Sequence, residues 1–270
     1  MAAVAELEKY PAPGLAFVQY TPTLPDDDRG KLRGTAERIH DVTGRWLECA
    51  QTLVLVVDEK DTAGCRDAVE LGQRGKAQGL LTIGAVLGRT TSALRETDCP
   101  TAAGWTELAA STHCCIHLET PETGKTADRT VLVLHSLTTG LASVCNVQTH
   151  IGVDYDDVLT ILGEPARLSV GVGVSSGDGR ALAAAHAAVA DLRPSVSHPE
   201  AVQGILIMLS PRPGEHLLWE TKLAMNTIRA AFGPDPHCIY SVYYRQLPME
   251  PSAAGAPDPF QVTLFLTSSA

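Results

Sequence analysis

Apolar residues follow two rhythms along this chain. Short unbroken runs occur at Thr52–Val57 (TLVLVV), Leu80–Leu87 (LLTIGAVL) and His113–Leu118. Between them lie stretches where apolar positions recur every three or four residues, at Cys65–Gln78 and Thr101–Ser111. An unbroken apolar run predicts a strand buried on both faces, and so a parallel sheet. The three-to-four spacing predicts a helix with one face on that sheet. A shorter apolar segment, Leu15–Tyr20, precedes them and is closed by the turn sequence TPTLPDDD. Helix 31–50 follows, with Leu32, Ile39, Val42 and Trp46 on one side and Asp28 as a candidate cap. The order strand, helix, strand, helix, strand is that of a Rossmann-like α/β layer, which binds ligands in the loops at the carboxyl ends of its strands.

The second half has a different rhythm. A long helical run over about residues 130–151 leads to a short acidic loop, Gly152-Val153-Asp154-Tyr155-Asp156-Asp157. A short helix to Leu162, a strand at Ala166–Ser175 and an Ala-rich helix at Gly179–Leu192 come next. A strand at Ala201–Ser210 and a helix at Gly214–Phe232 follow, then strands at Cys238–Leu247 and Phe260–Thr267. Only the loop PMEPSAAGAPDP separates the last two strands, which predicts an antiparallel pair and a mixed sheet. The division expected is therefore 1–129 as a nucleotide-binding-like domain, 130–151 as a central linking helix and 152–270 as a C-terminal α/β domain.

Composition narrows the function classes. The formal net charge of −10 leaves no Lys/Arg stripe to neutralise phosphates, which excludes nucleic acid and anionic lipid as partners. No apolar segment is long enough to span a bilayer, and the N-terminus lacks the basic start and apolar run of a signal peptide. A cytoplasmic protein is expected. Seven cysteines without a CxxC spacing fit free, buried thiols in a reducing compartment.

Four groups of residues could carry chemistry. Asp154 and Asp157 could act across a subunit contact; equally, Asp154 suits an N-cap and Asp157 the third helical position. Gly171, Gly173 and Gly177 resemble a dinucleotide fingerprint, but their spacing is GxGxxxG and no strand-borne acid follows at the required distance. Gly124-Lys125-Thr126 matches the end of a P-loop, but Glu119 stands where the leading glycine belongs, and the expected helix start does not follow it. His113, Cys115 and His117 alternate along one strand face without a fourth ligand, so no metal is expected. The spacing alone supports no nucleophilic triad.

Four stretches carry a resemblance to FtsZ, the bacterial tubulin relative that forms the division ring. VDYDDVLTIL resembles the loop and helix reading Asn-x-Asp-Phe-Ala-Asp-Val in that family. SVGVGVSSGDGRALAAAHAAV resembles its Gly-Ser-Gly-x-x-Ser-Gly-x-x-Arg-Ala segment. WETKLAMNTIRAAFGPD resembles the helix ending Gly-Asn-Thr-Ile-Arg-Ala, and FQVTLFLTSSA its last strand. LHSLTTGLASVC fits the family's central helix without a gap. The likeness is good over about residues 130–268 and looser over 15–125. It implies a tubulin/FtsZ-type fold: a degenerate Rossmann-like N-terminal domain, a long central helix and a C-terminal domain with a mixed sheet.

The departures carry the functional argument. The family cradles GTP phosphates with a Gly-rich loop, because only glycine lets backbone N–H groups approach so closely. The matching loop here is Asp58-Glu59-Lys60-Asp61-Thr62-Ala63-Gly64. At about 4 Å and an effective dielectric near 20, each carboxylate–phosphate pair costs several kcal/mol, and Lys60 offsets one acid at most. The family's first strand and Gly-rich turn have no counterpart, and Leu132 stands where the family's guanine-reading Asp falls. The family's adaptor-binding C-terminal tail has no counterpart either. No GTP/GDP or other cofactor is therefore expected, and no catalytic residue in cis.

What the resemblance retains is the acidic loop, which in the family reaches into the next subunit's nucleotide pocket. It implies a subunit contact through Gly152, Asp154, Tyr155 and Asp157, with Asp154 and Asp157 available in trans. The expectation is a non-enzymatic, FtsZ-like pseudo-GTPase that caps or modulates filaments, its partner an FtsZ-type protein or itself. The alternatives are a divergent FtsZ-fold GTPase using Lys60, Thr62 and Gly64 on phosphate, and a homo-oligomeric scaffold.

Overall fold

A computed structural model describes residues 50–88, 102–119, 125–142, 149–192, 196, 201–211, 218–233, 236–243 and 259–269. The strand expected at 15–20 lies outside these residues, as does the helix at 31–50 apart from Ala50. The described elements fall into two compact units, one running to Thr130 and including Leu162–Arg167, the other made of Val131–Ile161 and the chain from Leu168.

In the first unit, β1 (Thr52–Asp58), β2 (Leu81–Gly88) and β3 (Cys114–Glu119) form a parallel sheet in that order. Ala166 and Arg167, which begin β5 (Ala166–Ser176), pair with Cys114 and Cys115 beside β3. Every residue of β2 is buried, as the unbroken run predicts for an interior strand. β1 departs from that expectation. Only Leu55 of its seven residues is fully buried, because among the described strands β1 pairs with β2 alone and forms an edge. Helix α1 (Thr62–Ala77) ends where Gly79, at φ +79°, takes the left-handed conformation, with Arg74 and Lys76 in its last turn. It packs against α2 (Ala102–Ser111), and Leu55, Ala68, Val86, Leu108 and Cys115 form the core beneath.

Two adjacent cysteines are locked into this unit. Cys115 packs in that core, and the Cys114 thiol donates to the carbonyl of Leu162 at 3.1 Å. Burial pushes both thiols up to about 12. The folded state therefore favours the neutral thiol. That contribution is complete below the unfolded thiol value of about 8.5 and is lost as pH rises toward 12. Native protein at pH 8 is expected to leave Cys114 and Cys115 unalkylated by iodoacetamide, with full labelling in urea. Equal labelling rates in the two states would refute this.

Helix α3 (Lys125–His135) leaves the first unit at Thr130, whose hydroxyl donates to Glu119 O at 2.8 Å. It continues as a π-helical turn over Ser136–Gly140, where the Thr138 hydroxyl bonds back to Leu134 O at 2.8 Å. The helical run does not reach residue 151: Thr149–Ile151 is a strand, β4.

The second unit also contains α4 (Tyr155–Leu162), α5 (Arg180–Leu192), β6 (Val202–Ser210), α6 (Leu218–Phe232), β7 (His237–Tyr243) and β8 (Pro259–Ser268). Its sheet runs β5-β8-β6-β7-β4. β8 lies antiparallel to β6, while β7 is parallel to β6 and antiparallel to β4. The sheet is mixed and β7 and β8 run antiparallel, as expected, but they are not neighbours. β8 pairs with β6 instead, taking the side opposite β7, so the two strands do not form a hairpin. Ile205, Ile207 and Leu209 on one face of β6 join α5 and α6 in the main core. On the other face, Gly204 sits under Ile161 of α4, and Met208 sits near Gly140 of the π turn. None of the described helices is long and apolar enough to cross a membrane.

Candidate functional site

The acidic loop is the connection between β4 and α4, and both its ends are fixed. Ile151 faces Val242 across the sheet, and its carbonyl accepts from the Ser241 hydroxyl at 3.0 Å. Val153 is buried, and so are Val158, Ile161 and Leu162 along the inner side of α4. Between these anchors the two carboxylates cap the helix reciprocally. The Asp157 N–H donates to Asp154 Oδ1 at 2.9 Å, and the Asp154 N–H donates to Asp157 Oδ2 at 3.2 Å. This is a capping box built from two aspartates. The other oxygen of each carboxylate takes part in neither bond. Gly152, Asp154 and Asp156 are exposed, while Tyr155 and Asp157 are half-buried. The structural and functional readings of Asp154 and Asp157 are therefore compatible, because capping orients the loop without burying it.

The loop expected to be a degenerate phosphate site follows β1 and opens α1. The backbone N–H groups of Glu59, Lys60, Asp61 and Gly64 already have partners within the chain. Asp58 Oδ1 accepts from the Lys60 N–H at 3.0 Å, and Asp61 Oδ1 accepts from the Gly64 N–H at 2.9 Å. Asp61 is thus the N-cap of α1, and Thr62 is its first residue. A Cβ on Gly64 would meet Asp61 Oδ2 at 2.7 Å, so the one glycine of this loop accommodates the chain's own carboxylate. Asp58, Lys60 and Asp61 are exposed, which places their mutual and ligand-directed repulsion nearer the solvent limit of about 1 kcal/mol per pair than the interior values. Cys65 lies behind the loop, its thiol raised by burial and then by Asp61, Asp58 and Glu59.

The alternating residues of β3 go to different tasks. His113 Nδ1 accepts from the Thr82 N–H at 3.1 Å, and burial followed by Lys76 lowers its affinity for a proton. Cys115 is in the core. His117 stands edge-on to Trp105, with Nε2 3.8 Å from Glu59 Oε2. No group of three or more His, Cys, Asp or Glu side chains among the described residues is placed to hold a metal.

Gly171 and Gly173 lie under α5, where a Cβ would strike Ala188 O and Leu192 Cγ at the first position and the α5 backbone at the second. Gly177, at φ +80°, turns the chain from β5 toward α5. Their role is close packing and a turn, not a phosphate cradle. At the GKT sequence, Gly124 is outside the described residues, but α3 does begin at Lys125, contrary to the sequence expectation. Leu132 is a half-buried position of α3.

Sequence spacing missed one ion pair. Arg180 opens α5 and Glu220 lies in the first turn of α6, forty residues apart. Arg180 Nε meets Glu220 Oε1 at 2.7 Å and Nη2 meets Oε2 at 3.1 Å, and the guanidinium sits over the Phe260 ring at 5.9 Å. No local sequence pattern joins two residues forty positions apart.

No family model matches the chain. It is 32% identical over 117 residues to the cell division protein FtsZ 1 of Rhizobium meliloti, covering 42% of this chain and 20% of that protein. It is 30% identical over 115 residues to FtsZ of Wolbachia pipientis, covering 42% and 36%. The matched segments thus span about a third or less of these relatives. Among solved structures, an empty FtsZ dimer from M. jannaschii matches with a TM-score of 0.66 at 17% identity, over 86% of this chain and 67% of that one. CetZ from Methanosaeta thermophila matches with a TM-score of 0.56 at 12% identity, over 82% and 61%.

Proposed function

We propose, from the premise that this chain belongs to the FtsZ/tubulin superfamily, that it is a non-enzymatic assembly protein acting on FtsZ-type filaments. Its acidic loop docks on the nucleotide-bearing end of an FtsZ-type subunit, and the chain then caps or modulates the filament. One contrast carries this reading. The N–H groups of Lys60 and Gly64 are taken by Asp58 and Asp61, while Asp154 and Asp156 stand exposed on a loop braced at both ends. The first loop is filled by the chain's own anions and does not fit a nucleotide phosphate. The second is preorganised for a partner. Head-to-tail contacts use two different faces, so a subunit with one working face ends a filament rather than extending it.

The test adds the protein at substoichiometric amounts to FtsZ from the same organism and measures sedimented polymer and GTP turnover. Both are expected to change with wild type, and less with the Asp154→Ala/Asp157→Ala variant. No change with either protein would end this reading. In parallel, titration with labelled GTP and Mg²⁺ is expected to show no saturation up to millimolar nucleotide; binding near micromolar would establish the GTPase alternative instead.

A further inference from the structure

Three large apolar side chains are exposed among the described residues: Val174 at 43%, Leu218 at 74% and Trp219 at 55%. Isolated exposed apolar residues are ordinary on a protein surface. Leu218 and Trp219 are adjacent at the start of α6, and the topology of the second unit puts them at the same end as Val174, which faces the other side of the sheet from the α5-covered Gly173. Val174 lies near the carboxyl end of β5. Arg180, four residues beyond that strand, sits over Phe260, whose neighbour Gln261 faces Ser210 at the carboxyl end of β6. Arg180 also binds Glu220, which brings the start of α6, and with it Leu218 and Trp219, to the same end.

The acidic loop arrives there from the opposite face of the sheet. Ile151 is level with Val242, which pairs with Leu209 near the end of β6. From that level α4 runs back until Ile161 covers Gly204. The amino end of α4, with Asp154 and Asp156, therefore points to the end that carries Val174, Leu218 and Trp219. Exposed apolar side chains and exposed carboxylates at one end of the unit make a binding surface of defined chemistry, and tryptophan is enriched among the side chains that dominate interface energies.

We infer that Leu218 and Trp219 anchor the contact made by the acidic loop. The partner is an FtsZ-type subunit that presents an apolar pocket beside cationic groups, and it is not a second copy of this chain. Charge decides the second point. In the head-to-tail contact that the resemblance to FtsZ implies, a second copy would set Asp154 and Asp156 against Asp58, Glu59 and Asp61, with Lys60 the only cation in that loop. Like charges across a contact suppress the wrong partner. This inference rests on the docking role proposed above for the acidic loop.

Fluorescence anisotropy of the labelled chain against FtsZ from the same organism, at low and high salt, tests it. The Leu218→Ser/Trp219→Ala variant is expected to bind about tenfold or more weakly, with its salt dependence retained. The Asp154→Asn/Asp156→Asn variant is expected to lose the salt dependence. Both variants alter exposed side chains and are expected to melt with wild type by circular dichroism. If the apolar variant binds within twofold of wild type while the Asn variant is weakened, the anchor is wrong and the docking role stands. If wild type does not bind at all, both fall. Sedimentation velocity on the chain alone is expected to show no head-to-tail oligomers, and their appearance would overturn the exclusion of self.

Discussion

Glu220→Ala is expected to destabilise the fold by about 3–5 kcal/mol, a large part of the 5–15 kcal/mol that separates folded from unfolded states in typical domains. The reason is what the substitution leaves behind. The Arg180 and Glu220 side chains are only 11% and 4% exposed, and two parallel hydrogen bonds of 2.7 and 3.1 Å satisfy the guanidinium edge. Removing the carboxylate takes both of these hydrogen bonds from a buried guanidinium that cannot shed its proton, held between α6 and the Phe260 ring. Arg180→Ala strands the opposite charge and belongs in the same range. Replacing both together, as Arg180→Met/Glu220→Leu, is expected to cost far less than either single change, because no uncompensated charge remains. Urea unfolding followed by circular dichroism measures all three. A loss below about 1 kcal/mol for Glu220→Ala would place the pair with ordinary surface salt bridges and refute the argument. The pair also ties together the starts of α5 and α6, so the single variants are expected to loosen the end that carries Leu218 and Trp219.

That pair marks the limit of what the sequence could reveal. Elements governed by local rules were readable residue by residue. The run LLTIGAVL became a wholly buried strand, and the Ala-rich stretch became α5 within a residue of its expected start. Asp154 and Asp157 could be placed as N-cap and third helical residue from spacing alone, because a capping box is a contact between residues three apart. Features set by long-range pairing were not readable. Nothing local in TLVLVV distinguishes an edge strand from a central one. Nothing in the loop before β8 says that the strand will pair with β6 on the side away from β7. The reciprocal contact of Arg180 with Glu220, and the gathering of Val174, Leu218 and Trp219 at one end, both depend on that insertion and were hidden with it. Resemblance to FtsZ supplied the overall architecture, while the hydrogen bonds from the Lys60 and Gly64 N–H groups to the Asp58 and Asp61 carboxylates are seen only in the structure.

Gly173→Ala is expected to be the most disruptive single-methyl change in the second unit. Helix α5 lays Ala181, Ala184, Ala185 and Ala188, all buried, on β5, and the glycines of β5 let it approach closely. A Cβ at Gly173 would overlap Ala184 O and Ala188 N and reach Ala187 Cβ at 3.0 Å. Two of these three obstacles are backbone atoms of the helix, so trimming a side chain, as in Ala187→Gly, does not make room. The helix itself must move, and overpacking of that kind costs about 1–3 kcal/mol or more. Gly140→Ala is the control. A Cβ there would approach Met208 Cε at 3.4 Å, Met208 Sδ at 3.7 Å and Phe265 Cζ at 3.9 Å, all ordinary contact distances, and alanine is favoured over glycine in helical backbone by up to about 1 kcal/mol. Thermal melts of the two variants should therefore move in opposite directions. Gly173→Ala within about 0.5 kcal/mol of wild type, the range of ordinary surface changes, would show that α5 yields freely and that β5 does not need its glycine.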